Sequence, residues 1–308
     1  MSRKGWALFC ALCLIWGIPY LLIRVAVREL TPATLVFART APVALAMLPF
    51  AVRRGALGAL LERWRWVLAY TLVEISVPWL LLAHAEQQLS SSMAGLLIAT
   101  VPLIGAVMYR LTGTAERLTR RRLAGLALGF VGVAALVGFD TGGGHPRAAI
   151  EVLIVALCYA TGPLIVSRRL ADLPGLGVVA ASLAVTAVVY APFGIAELPA
   201  SVSSETIAAV IALAVFCTAL AFVLFFALIV EVGPARATVV TYVNPLVAVL
   251  LGVVFLGESL TLGMAVGLPL ILGGSVLATS RSPGRRLDAS ARDGHDDDGS
   301  ARIEPPRR

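Results

Sequence analysis

The sequence predicts an all-α polytopic membrane protein, with ten transmembrane helices built as two inverted five-helix repeats. Three observations predict it. The 308-residue chain is 59% hydrophobic and only 14% charged, with mean hydropathy +0.90, more apolar surface than a soluble domain of this size hides. One set of landmarks recurs about 143 residues further along the chain, the mark of a duplicated unit. The basic residues gather in alternate loops, as they do on the cytoplasmic side of membrane proteins.

Ten apolar stretches approach the ~20 residues that a spanning helix needs. The first, Trp6–Val27, runs from Arg3 and Lys4 to Arg28. The second, Pro32–Val52, stops at Arg53 and Arg54. The third, Trp64–Ala85, starts beside Arg63 and Arg65, with Trp64 and Trp66 suited to an interfacial belt. The fourth, Ser92–Leu111, and the fifth, Leu123–Phe139, are parted by the basic run Arg117 to Arg122. The sixth, Ala148–Val166, lies between Arg147 and the pair Arg168 and Arg169. The seventh and eighth, Leu176–Ile195 and Ile207–Val230, are joined without Lys or Arg. The ninth, Ala237–Leu256, follows Arg236, and the tenth, Leu262–Thr279, precedes Arg281. The runs are continuous rather than alternating, which excludes a β-barrel.

With the N terminus inside, almost all of the 25 Lys and Arg fall on the cytoplasmic side. Only Arg28 and Arg147 lie in outer loops, and Arg24 and Arg39 lie within spans. Both termini are therefore expected in the cytoplasm. The net charge of +7 is accounted for by this asymmetry, so no nucleic-acid partner is implied.

The recurring landmarks keep their order. Pro19, five residues before Arg24, returns as Pro163, five before Arg168. Pro49-Phe50 returns as Pro192-Phe193, and Pro102 as Pro245. Glu116-Arg-Leu-Thr119 returns as Glu258-Ser-Leu-Thr261, and Gly125 and Gly132 return as Gly267 and Gly274. Five spans is an odd number, so the second copy lies upside down. The charges agree: the basic loop Arg117–Arg122 corresponds to the uncharged Ser259–Met264. Inverted duplication of this kind is characteristic of membrane transporters. The expected units are 1–140 and 148–280, followed by a disordered, cytoplasmic polar tail, 281–308. Asp296 to Asp298 in that tail reads as a solvated run rather than a metal site.

Cys10, Cys13, Cys158 and Cys217 all lie in spans, so no disulfide framework is expected. Cys10-Ala-Leu-Cys13 has the spacing of a redox pair but not its strand–helix setting. Residues 1–23 have an apolar run too long for a signal peptide and lack a clear cleavage site, so a retained first span is expected.

At these residues the chain resembles the drug/metabolite transporter superfamily, in particular its EamA-like branch. Trp16-Gly17 with Pro19 is similar to that family's opening motif, and Pro32-Ala-Thr-Leu-Val-Phe-Ala-Arg39 to its second span. A mid-span Pro, a Glu after the helix end and a Gly-rich final helix complete each half, with Asn244-Pro245, Gly257-Glu258 and Gly267 to Gly274 in the second. The resemblance covers roughly Trp6 to Thr279. It implies a secondary transporter, often an exporter of amino acids or other small metabolites, with no enzyme chemistry and no cofactor. The chain departs from the family at Glu74, where a small residue is usual.

Proline inside a helix frees the carbonyl four residues earlier. Interrupted helices at matching positions point to a midplane site. Pro19, Pro102, Pro163 and Pro245 therefore mark helix breaks, and the first, fourth, sixth and ninth spans are expected to line a central cavity. Trp16, Tyr20, Tyr159, Tyr242 and Asn244 lie at or beside the breaks, and Trp79 joins them as a candidate lining residue for an amphipathic solute. The alternative is that the prolines only kink the helices and the aromatics fill space.

An ionised residue at a helix centre costs about 2.5–3.5 kcal/mol and needs a partner or water. Glu74 is near the middle of the third span. Arg39 differs from it in depth by only ~5 Å, at 1.5 Å of rise per residue. Either the two form a structural ion pair, or Glu74 is a proton- or cation-coupling site; Arg39 and Glu74 are candidate substrate-binding residues in both cases. His84 and Glu86 lie near the outer end of the third span, where a lone His reads as solvated, and Arg24 and Arg28 read as snorkelling. Gly125-x-x-x-Gly129 and Gly263-x-x-x-Gly267 are smooth faces, suited to packing within the monomer or to a homodimer seam through the fifth or tenth helix.

Alternating-access transport of a small-molecule substrate across a lipid bilayer is thus the leading expectation. An intramembrane enzyme needs an Asp-rich, His-Glu-x-x-His or Ser/His constellation that the spans lack. A non-transporting sensor or assembly subunit has no need for duplicated helix breaks. No nucleotide-binding Gly-x-x-x-x-Gly-Lys loop is present.

Overall fold

The structure is a computed structural model describing residues 1–53, 55–111, 120–140, 145–233, 237 and 239–279. The expected tail and the Glu116–Thr119 landmark lie outside the described residues. The described chain is helical throughout its elements, without strands. Among the described residues, nine helices are long and apolar enough to cross a membrane, and Val240–Leu256 is a shorter apolar helix in the ninth position. A small helix, Ala56–Glu62, joins the second span to the third.

Polar residues at the chain entries start the helices. Ser2 accepts from the Gly5 amide, Ser90 from Met93 and Ser203 from Thr206, each satisfying a donor that the first helical turn leaves open. The first span is Arg3–Gly17 followed by Pro19–Ala26, parted at Ile18. The fourth is Ser91–Ile98 followed by Val101–Leu111, parted at Ala99-Thr100. Pro19 and Pro102 thus mark interruptions. Pro163 and Pro245 do not. Both sit inside continuous helices, Pro146–Ile165 and Val240–Leu256, because a spanning helix tolerates proline where neighbours and local register changes satisfy the freed backbone. A π-helical turn, Val166–Leu170, follows Pro163 directly.

The third and eighth spans share a feature that carries no proline. Trp64–Tyr70 and Val77–Ala85 are joined by π-helix Thr71–Ser76. Ser204–Ala214 and Ala221–Val232 are joined by π-helix Val215–Leu220. The two wide turns hold repeat-related positions, and π-turns concentrate at functional places.

Packing follows the duplication. The second span lies along the seventh, the fourth along the ninth, and the fifth along the tenth. The first span meets the eighth as the sixth meets the third. Glycine lets the last pair close. A Cβ on Gly125 would sit 2.7 Å from the Gly274 carbonyl oxygen, and one on Gly274 would sit 2.6 Å from that of Gly125. Gly132 and Gly267 continue the seam. These glycine faces are therefore spent on packing within the chain, and the same seam is not open to a second copy. The lipid-facing perimeter carries Leu45, Val188, Val230, Val254 and Phe255, all well exposed.

Candidate functional site

Five of the residues singled out from sequence converge at mid-depth. Arg39 from the second span is buried, with 6% of its surface exposed. Its guanidinium carbon lies 3.6 Å from the Trp79 ring centre, and its Nε donates to Thr218 Oγ1 at 3.0 Å. Thr218 stands in the π-turn of the eighth span and donates in turn to the Leu213 carbonyl at 2.8 Å. A guanidinium is weakly hydrated and stacks well, so an indole face and one hydroxyl can hold it away from water. Truncating Trp79 to Leu uncovers that charge. A loss of about 2 kcal/mol is expected, read as a lowered unfolding midpoint in detergent relative to Trp64→Leu at the exposed rim.

Glu74 stands in the repeat-related π-turn of the third span. No ion pair joins it to Arg39: the ion pairs among the described residues are Arg63–Asp172, His84–Glu151 and Arg147–Glu151. Similar depth is not enough, because Arg39 is turned toward Trp79 and the eighth span. Glu74 instead lies against Gly162 of the sixth span, where any Cβ would strike its carboxylate. Its Oε2 is sealed and has no hydrogen-bond partner among the described residues. The wide turn is held from the seventh span: Tyr190 donates to the Ser76 carbonyl at 3.0 Å, and Thr71 donates to Ser182 Oγ at 2.8 Å.

Tyr159 is near both Glu74 and Arg39. It borders both large apolar clusters and is within electrostatic reach of Glu74 and Arg39, with Trp79 at its flank. Tyr20 is buried, within reach of Tyr159 and Glu86, its ring beside Gly95. The remaining candidates are elsewhere. Trp16 packs on Phe225 and Phe222, with ring centres 4.8 and 6.3 Å away. Tyr242 shares a 2.7 Å hydrogen bond with Thr279 of the tenth span. Asn244, with its amide nitrogen facing the carbonyls, donates to Val240 at 2.9 Å and to Cys13 at 3.3 Å, pinning the ninth span to the first. The cluster is thus drawn from spans one, two, three, six and eight. Spans four and nine press on each other, with Gly95 against Ala248 and Gly252 against Ser91, Ser92 and Glu258.

Thr218, Gly162 and a clasp at the end of the bundle were not anticipated. Glu258, just past the ninth span, accepts from the Ser91 and Ser92 amides at 2.7 and 2.9 Å and also from the Ser92 hydroxyl. It is an anion on a helix N-terminus supplied by the other repeat. Its recurrence as a landmark and its place in the Gly257-Glu258 motif were the sequence signals. A cavity of about 290 Å³ beside it is lined by Gln88, Ser90, Met93, His145, Glu258 and Thr261, among others. His84 is not simply solvated and Arg24 does not simply snorkel: His84 Nδ1 lies 2.7 Å from Glu151 Oε2, and Arg24 donates to the Glu86 backbone carbonyl. Replacing Glu258 by Gln removes the charge from this cap. A cost of about 1–2 kcal/mol is expected, visible as faster amide exchange at Ser91 and Ser92 and not at Thr206, whose cap is Ser203.

The fold is that of a solved crystal structure with which the chain superposes at TM-score 0.63, with 23% identity, over 90% of this chain and 98% of that one. A model of the EamA-like transporter family matches residues 3–138 and again 147–280. The chain belongs to the EamA-like transporter family. Among its relatives is YedA of Escherichia coli K12, described as an uncharacterized inner membrane transporter, 32% identical over 276 residues and 89% of each chain. A probable terminal-alkyne amino-acid exporter of Streptantibioticus cattleyicolor is 28% identical over 94% of this chain and 98% of its own. Bacillus subtilis YvbV, an uncharacterized transporter, is 26% identical over 92% of this chain and 93% of its own. As an EamA-like protein the chain is a polytopic membrane protein, and its relatives are named as transporters rather than enzymes.

Proposed function

We propose that this EamA-like protein is a secondary active transporter that exports a small organic metabolite of amino-acid type by alternating access, with Glu74 as the proton-titrating group of the central site. The observation that supports the reading is the setting of Glu74: a carboxyl near the middle of its span with one oxygen sealed and unpartnered, and no ion pair to it among the described residues. A structural carboxylate in such a place would have its charge answered by Arg39. Here the guanidinium is answered separately by Trp79 and Thr218. Glu74 is left free to exchange a proton for a cationic group of the solute. Tyr159, Tyr20 and Trp79 supply an amphipathic wall. The amino-acid class draws support from the Streptantibioticus relative's name. The distribution of Lys and Arg supports a cytoplasmic position for both termini.

The test is a comparison of cells with and without the gene, reading metabolites inside the cell and in the medium. One solute or a small related group should rise outside and fall inside, and the change should vanish with Glu74→Gln. Identical profiles in both compartments would contradict the reading.

A further inference from the structure

We propose that Glu86 is a second proton-binding site, filled and emptied from the outer face as the Glu258 clasp closes and opens. The proposal rests on the transporter reading for its orientation. It stands on a separate carboxyl, Glu86, and on the Glu258 clasp.

Glu86 follows the last helical residue of the third span, Ala85. It is wholly buried, at 0% exposure, and both carboxyl oxygens are sealed without a hydrogen-bond partner among the described residues. A bare anion in that position has neither water nor donors to replace it, so the group is held there as the neutral acid. Nothing in the central site uses it.

Its surroundings explain how the proton could leave. The first span presents Arg24 and Tyr20, the second Arg39, and the connector after the ninth Glu258. On its own helix His84 is committed to Glu151, which also receives Arg147. The Arg24 guanidinium donates to the backbone carbonyl of Glu86, not to its carboxylate. Its charge is near enough to favour the carboxylate electrostatically. The neighbouring negative charge of Glu258 opposes a second anion while the clasp is shut.

The connector couples the proton to the gate. Glu86 begins the short link that ends at Ser90, the cap of the fourth span. Glu258 holds the two residues that follow, Ser91 and Ser92. Releasing that grip frees the link and admits water. The Glu86 O–H then gives its proton to external water, and the carboxylate takes a guanidinium N–H of Arg24. Closure reverses the step: a proton from external water returns to the carboxylate, and Arg24 returns to the carbonyl.

The experiment uses full-length protein in lipid nanodiscs with isotopically labelled glutamate. Infrared spectra at neutral pH should contain carboxylic-acid C=O absorption from glutamate. Glu74→Gln should leave one component, and Glu86→Gln should remove that component. Amide exchange across residues 86–93, corrected for its chemical pH dependence, should rise several-fold with pH in the wild type and stay flat in Glu86→Gln. If Glu86→Gln does not fold, the Glu74→Gln spectrum decides alone. Loss of all glutamic-acid absorption in Glu74→Gln, or the same pH-dependent exchange with and without Glu86, overturns the proposal. Neither readout needs flux. A protein that moves no solute but keeps the Glu86 band sinks only the transport reading, and one that exports normally without the band sinks only this one.

Discussion

Glu74→Gln is expected to reduce proton-driven flux by about tenfold or more, a coupling free energy on the order of 1–3 kcal/mol, while the protein remains folded. Glutamine matches the neutral acid in size and fits against Gly162 as Glu74 does. What it lacks is the anionic state. Exchange of solute for solute, which needs no net proton movement, should survive better than flux driven by a pH gradient. The steps of the measurement are reconstitution, imposition of a gradient of either sign, and comparison with Glu197→Gln, an exposed carboxylate at a span end. Equal gradient-driven flux in wild type and Glu74→Gln would remove Glu74 from the coupling step.

The second large effect is on stability. Gly274→Val should destabilise the folded bundle by about 3 kcal/mol, the upper end of overpacking costs. A Cβ at Gly274 would lie 2.5 Å from the Gly129 amide nitrogen and 2.6 Å from the Gly125 carbonyl oxygen. These are backbone atoms of a facing helix, so no side chain can swing away and the fifth and tenth spans must separate. Gly105→Ala is the control, because a Cβ there meets nothing within 4 Å. Thermal unfolding in detergent should show a lower midpoint for the first and an unchanged one for the second. Equal midpoints would mean that the seam does not hold the halves together.

The spans and their duplication were legible because they rest on properties a sequence displays directly: apolar run length, the placement of Lys and Arg, and ordered Pro and Gly. The depth of Glu74 was legible for the same reason. Its partner was not. Depth along a helix follows from counting residues, but the direction a side chain faces depends on how neighbouring helices rotate, and Arg39 is turned onto Trp79. The π-turns left no trace, since Thr71-Leu-Val-Glu-Ile-Ser76 contains neither proline nor glycine, and they carry Glu74 and Thr218. Proline misled in the opposite sense. Pro163 and Pro245 leave their helices continuous, and Asn244 beside the latter pins one span to another instead of facing a solute. Glu86 was placed only as a residue near the span end, because nothing local reveals that Tyr20, Arg24 and the Glu258 connector lie around it.

The central claim is that two five-helix bundles stand upside down to each other around a shared site. Sidedness labelling tests it most directly. Cysteines placed singly at Ser2, at Gln88 and directly after Thr279 in an otherwise cysteine-free protein are treated, in intact cells, with a thiol reagent that does not cross the membrane. The account predicts modification at Gln88 alone, with the other two reacting only after the membrane is opened. Modification of one end of the ten-helix region from outside, with the other end protected, would place the termini on opposite faces and contradict it.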